Sequence, residues 1–90
     1  MNFTLIKSSG GTTYVLNSRL SIFIMNNSNL FSIYYKIENK FVATSYYIKE
    51  NFLEDKISYN DEDDRYIADF LKTNPEITNQ IKKIVKYSFI

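Results

Sequence analysis

The chain reads as an α+β domain: an antiparallel β-meander of about five strands followed by two or three short helices packed on one face. Three observations predict this. The first half is a series of short runs rich in Ile, Val, Phe, Tyr and Thr, separated by Gly-, Asn- and Ser-rich punctuation, with no proline before Pro75. The second half places apolar residues at helical spacing behind capping signals. Strands therefore precede helices, the order of segregated α+β folds. The 90 residues suit one domain, 1–90, with strands over about 2–49 and helices over about 60–89.

Phe3–Lys7 and Thr12–Leu16 flank Ser8-Ser9-Gly10-Gly11, a hairpin loop holding both glycines of the chain. Leu20–Met25 and a strand from Leu30 flank Asn26-Asn27-Ser28-Asn29. That strand runs to Glu38, and Phe41–Ile48 follows across Asn39-Lys40, where Asn is able to take the left-handed conformation of a tight turn. Alternation sets the register. Ile37 faces Val42, Tyr35 faces Thr44, Ile33 faces Tyr46 and Phe31 faces Ile48. Ile24 faces Phe31 and Ile22 faces Ile33 across the Asn-rich turn. A three-residue connection, Asn17–Arg19, sets Leu16 opposite Leu20 and Tyr14 opposite Ile22. One face then collects Phe3, Leu5, Tyr14, Leu16, Ile22, Ile24, Phe31, Ile33, Tyr35, Ile37, Val42, Tyr46 and Ile48.

The segment Glu50–Ile57 fits a short helix or a packed loop around Phe52, Leu53 and Ile57. Ser45 could open a helix over 46–56, but the alternation of Val42, Thr44, Tyr46 and Ile48 favours a strand. Asn60-Asp61 caps a helix from about Glu62 to Thr73 with Ile67, Phe70 and Leu71 on its apolar face. Asn74-Pro75-Glu76 starts a second helix with the stripe Ile77, Ile81, Ile84 and Val85. Lys82, Lys83 and Lys86 lie off that stripe, near a C-terminus that favours cations.

The chain has no His, no Cys and no Trp. It therefore lacks the commonest general base, thiolate metal ligands and disulfides. Ser8-Ser9-Gly10-Gly11 lacks the glycine spacing and following Lys of a phosphate loop. Asp69, the one acid within an apolar run, falls on the flank of its helix. No enzymatic site, cofactor or metal is expected. The run Asp61-Glu62-Asp63-Asp64 lacks the calcium-loop pattern. It reads as acids placed at a helix N-terminus, with a patch for a basic partner as the functional alternative.

Charge alternates along the chain. Residues 1–49 carry Lys7, Arg19, Lys36, Lys40 and Lys49 against Glu38, a net +4. Residues 50–71 carry eight acids against Lys56 and Arg65, a net −6, and residues 72–90 return to +3 through four lysines against Glu76. The start, Met1–Lys7, has no basic leader, and no apolar run approaches the roughly 20 residues that span a bilayer. A cytoplasmic protein that does not enter membranes is expected. The Ile, Asn, Lys and Tyr bias suggests an AT-rich coding sequence.

The register leaves Ile6, Val15, Phe23, Met25, Leu30, Tyr34, Phe41 and Tyr47 on the opposite sheet face, with Arg19, Lys36, Ser21, Ser32, Ala43 and Ser45 among them. An outer face is normally polar. Three readings compete: the sheet curls or the helices divide between its faces, the face binds a protein or a second copy, or its aromatics stack the bases of a single strand. The leading expectation is a small non-enzymatic protein-binding module, an inhibitor, immunity or regulatory protein of bacterial or phage origin that occludes a protein partner, with a homodimer as one form. Nucleic-acid binding through the same face is the alternative. The residues expected to contact a partner are Phe23, Met25, Tyr34, Lys36, Phe41 and Tyr47, with Asp61, Glu62, Asp63 and Asp64 as a second patch. Tyr34 and Tyr47 are the expected hot spots.

Overall fold

The first three turns that the sequence marks close hairpins through local hydrogen bonds. In the Gly-containing loop the backbone N–H of Ser8 donates to the Gly11 carbonyl at 2.9 Å. Asn17 Oδ1 accepts from the N–H groups of Arg19 and Leu20 at 2.8 and 2.9 Å, the Asx geometry that makes Asn a turn residue. Asn27 takes a left-handed φ of 56° in the Asn-rich turn, and Ser28 Oγ accepts from Leu30 N at 3.2 Å. Asn26 ties this turn to the first loop, donating from its backbone to Gly10 O at 3.0 Å and from its side chain to Ser9 O at 3.1 Å.

The structure is a computed structural model that describes residues 4–49, 52–54, 56–57 and 61–88. Its sheet is an antiparallel meander in chain order: β1 Thr4–Lys7, β2 Gly11–Val15, β3 Leu20–Met25, β4 Leu30–Ile37, β5 Lys40–Tyr47 and a two-residue β6, Lys56–Ile57. The helices are α1, Asp61–Thr73, and α2, Pro75–Ser88. The expected α+β architecture is present. Phe3 and the capping Asn60 lie outside the described residues.

Four of the five pairings concern the sequence-predicted strands. Two keep the expected register, with Tyr14 facing Ile22 and Ile22 facing Ile33, and in the first hairpin Leu5 faces Tyr14. The β4–β5 pairing differs by two residues. Phe31 faces Tyr46, Ile33 faces Thr44, Tyr35 faces Val42 and Ile37 faces Lys40. The turn is therefore Glu38-Asn39, and Glu38, not Asn39, takes the left-handed φ, at 54°. Both registers turn through two residues, so the shift moves the turn by one position without changing its length. A shift of two preserves the side-chain parity, so every residue keeps its predicted face.

Gly11 is required by close approach. A Cβ there would stand 2.8 Å from the Phe23 ring and against the Ile24 carbonyl oxygen. Glycine lets the Phe23 ring lie across β2, covering backbone that a side chain would otherwise fill.

Between β5 and α1 the chain makes a 3-10 turn, Phe52–Glu54, then β6 pairs Ser45 with Ile57 and Tyr46 with Lys56. The strand reading of Tyr46 and Tyr47 holds. Phe52 is fully buried, edge-on to Phe31 and Tyr46 at centroid distances of 5.2 and 5.0 Å. Such edge contacts favour aromatic pairs beyond their buried area.

Both helices lie on one face, α1 on β5 and α2 on β3. Ile67 and Leu71 from α1, with Ile81, Ile84 and Val85 from α2, join Leu20, Ile22, Ile24, Phe31, Ile33, Val42, Tyr46 and Phe52 in one core. Phe70 stacks on Tyr35 at 4.4 Å. Asn74 stands at the start of α2, its carbonyl accepting from Thr78 N at 3.1 Å, but its side-chain amide donates backward to Phe70 O at 2.8 Å. Thr73 Oγ1 lies 3.0 Å from Asp69 O, and Thr78 Oγ1 donates to Leu71 O at 2.6 Å. The carbonyls that end α1 are thus met by the residues that begin α2. The helices stop short of β1, so Leu5, expected in the core, is 49% exposed.

Replacing Gly11 by Ala is expected to destabilise the fold by about 1–3 kcal/mol through overpacking, read as a lower urea midpoint. Gly10→Ala, whose Cβ would meet the Phe23 ring only at 4.0 Å, is expected to move it by less than about 0.5 kcal/mol.

Candidate functional site

Alternation along β1–β5 places Ile6, Phe23, Met25, Leu30, Tyr34, Phe41 and Tyr47 on the sheet face away from the helices. Nothing among the described residues covers it. Phe41 is 62% exposed, and Ile6, Met25 and Tyr34 are also open to solvent. Phe23, Leu30, Lys36 and Tyr47 are half-buried by their neighbours. Lys36 pairs across the sheet with Phe41 and sets its Nζ 5.9 Å from that ring, while Lys49 Nζ lies 5.8 Å from the Tyr47 ring. These are cation–π distances. Ser32 and Ser45 face one another at the centre and share a 2.9 Å hydrogen bond.

The six sheet residues expected to meet a partner therefore share one face. Tyr34 and Tyr47 do not form one contact point. Tyr34 faces Ala43 and Tyr47 faces Leu30, which separates them by four residues along the sheet, about 13 Å.

The acidic run is divided by the fold. Asp61 opens α1, Glu62 is exposed and Asp63 is half-buried, its Oδ2 accepting from Ala43 N at 3.4 Å. Asp64 is 1% exposed and points into the core, so it is withdrawn from the surface patch proposed for it. Its position follows from helical spacing. Asp64, Ile67 and Leu71 stand at i, i+3 and i+7, on the stripe that α1 turns toward the sheet. That spacing is legible in the sequence, and it outranks the grouping with Asp61–Asp63.

Asp64 belongs to a buried polar group that composition does not announce. Thr44 Oγ1 donates to Asp64 Oδ1, and both residues are buried. Asp64 Oδ2 and the Tyr46 hydroxyl are buried without a hydrogen-bond partner among the described residues. Burial, reinforced by the charge of Asp64, pushes the Tyr46 phenol up from 10.0 to about 12. The Thr44–Asp64 hydrogen bond joins the first turn of α1 to β5, so the cluster is a clasp between them.

A concavity lies on the helix side of β1 and β2. It encloses about 550 Å³ and is lined by Leu5, Lys7, Thr12, Tyr14 and Ile24 with the Asn26–Asn29 turn as its lip. Among the described residues no three His, Cys, Asp or Glu side chains converge to hold a metal ion. No helix among them is long and apolar enough to cross a membrane. No family model, curated protein or solved structure matches this chain.

The raised phenol makes stability depend on alkaline pH. Above pH 10 an unfolded tyrosine loses its proton while Tyr46 in the fold keeps its own, so the unfolded state binds fewer protons and stability falls as pH rises. The decline is expected between pH 10 and about 12, read as the urea midpoint against pH, and Tyr46→Phe is expected to flatten it.

Proposed function

We propose that this chain is a non-enzymatic protein-binding module that offers the outer face of its sheet to a partner and acts by covering the partner's surface. The observation that carries this reading is the uncovered face itself, with Ile6, Met25, Tyr34 and Phe41 exposed together on one side of a small sheet. Contiguous apolar surface of this kind on a small protein marks an interaction site. Its Tyr, Phe, Met and Arg are the residue types enriched in interfaces. Phe41 and Tyr34, the exposed aromatics of this face, are the leading contact residues. Inhibition, immunity and regulation are the roles that such occlusion serves. A sequence without cysteine suits a reducing compartment such as the cytoplasm.

The test is capture from lysate with the immobilised chain, with and without nuclease, in parallel with a Tyr34→Lys, Phe41→Lys variant. A protein retained after nuclease by the parent and lost by the variant is the expected result. A partner held equally by both would remove this face from the reading. Loss of all bound material on nuclease treatment would replace it with nucleic-acid binding.

A further inference from the structure

The outer face has relief as well as apolarity. On β4 and β5 the large side chains stand at the two ends, Tyr34 and Phe41 at one, Leu30 and Tyr47 at the other. Between them lie only Ser32, Ala43 and Ser45. The two serine hydroxyls bond to one another at 2.9 Å, which engages one of their two O–H donors and leaves one for whatever covers the floor. Tyr34 and Leu30 are four residues apart on one strand, about 13 Å. A shallow depression with a small-residue floor and aromatic or aliphatic walls results. Hot-spot anchors seat in such places, with surrounding contacts that exclude water.

Among the described residues, the charged side chain at an outward strand position is a lysine, with an arginine in the adjoining turn. Arg19 adjoins Lys36 through a 2.8 Å backbone hydrogen bond, and Lys36 stands over Phe41. The outward positions of β1–β5 bear no carboxylate, and Glu38 lies in the turn beyond them. Of the acids of α1, Asp64 is buried on the inner side against Thr44, and Asp63 is engaged to the Ala43 backbone at the edge of β5.

We infer that the occupant of this face is an acidic protein surface that projects one large apolar side chain flanked by carboxylates. This rests on the docking reading above. The anchor enters the depression between Tyr34 and Leu30, and its flanking acids meet Lys36 and Arg19. A second copy docked face to face would set these cations against a surface with no acid. A polynucleotide needs a cationic groove that tracks its backbone. Here the rings that Lys36 and Lys49 cover, Phe41 and Tyr47, are six residues apart on β5, about 20 Å, with only Ala and Ser between.

The test is selection from a random 12-residue peptide display library on the full chain. Enriched peptides are then synthesised and titrated against the parent, Phe41→Lys, and the double variant Arg19→Glu, Lys36→Glu. Circular dichroism verifies that each variant folds. Expected are peptides with a Trp, Phe or Leu anchor beside Asp or Glu, bound about tenfold or more weakly by both variants. Exchange of the peptide acids for Lys is expected to restore binding to the double variant. Peptides that need Phe41 but are neutral or basic, or that ignore the double charge reversal, would overturn the acidic partner and leave the docking face standing. Peptides indifferent to Phe41→Lys, or a selection that enriches nothing, would overturn the docking face as well. Labelled 15-residue oligo(dT) is titrated alongside. Its binding, if lost in Phe41→Lys and falling steeply with salt, would overturn both in favour of a single-strand binder.

Discussion

The clasp between the first turn of α1 and strand β5 is the interaction on which the rest of this molecule depends. The Thr44 hydroxyl donates to the buried Asp64 carboxylate, and the neighbouring Asp63 accepts from the Ala43 backbone. Ala43 and Thr44 are consecutive on one strand, so the helix grips both the edge of β5 and its inner face. One oxygen of this buried carboxylate is engaged by Thr44 and the other has no hydrogen-bond partner among the described residues, so the contact fixes the position of α1 at a desolvation cost. It holds α1 over Tyr35, Val42 and Tyr46, and α2 follows through the tight connection at Asn74. Both helices are thereby committed to one side.

That commitment explains the exposed face. With both helices on the inner side, the apolar residues of the outer side have no cover within the described chain. It also separates charge. The acids of residues 61–69 travel with α1, while the outward strand positions keep Lys36 and no carboxylate. A net charge of +1 thus conceals two surfaces of opposite character.

The sheet tolerates an error in one register because side-chain direction has a period of two. Ile33 meets Thr44 instead of Tyr46, yet both lie on the inner face, and Tyr34 and Tyr47 still point outward. What changes is lateral position. Tyr46 moves opposite Phe31 and forms the aromatic cluster with Phe52, while Tyr47 moves away from Tyr34. The face of a residue and its neighbours on that face are set by different physics, parity for one and turn position for the other.

The strand runs, their alternation, the two helix stripes and the composition of both sheet faces are local properties, so the sequence by itself determined them. Gly10-Gly11, Asn17, the Asn-rich turn and Asn74-Pro75 mark the elements because turn and cap chemistry acts over a few residues. The tertiary structure decided what depends on distant chain segments. It alone placed Glu38 at the turn, Phe52 between Phe31 and Tyr46, and Leu5 beyond the reach of the helices. It also separated Asp64 from its acidic neighbours, although the spacing to Ile67 and Leu71 carried the signal. Burial of a charge is a property of the assembled core and not of a run of four acids, because desolvation is set by everything packed around the group.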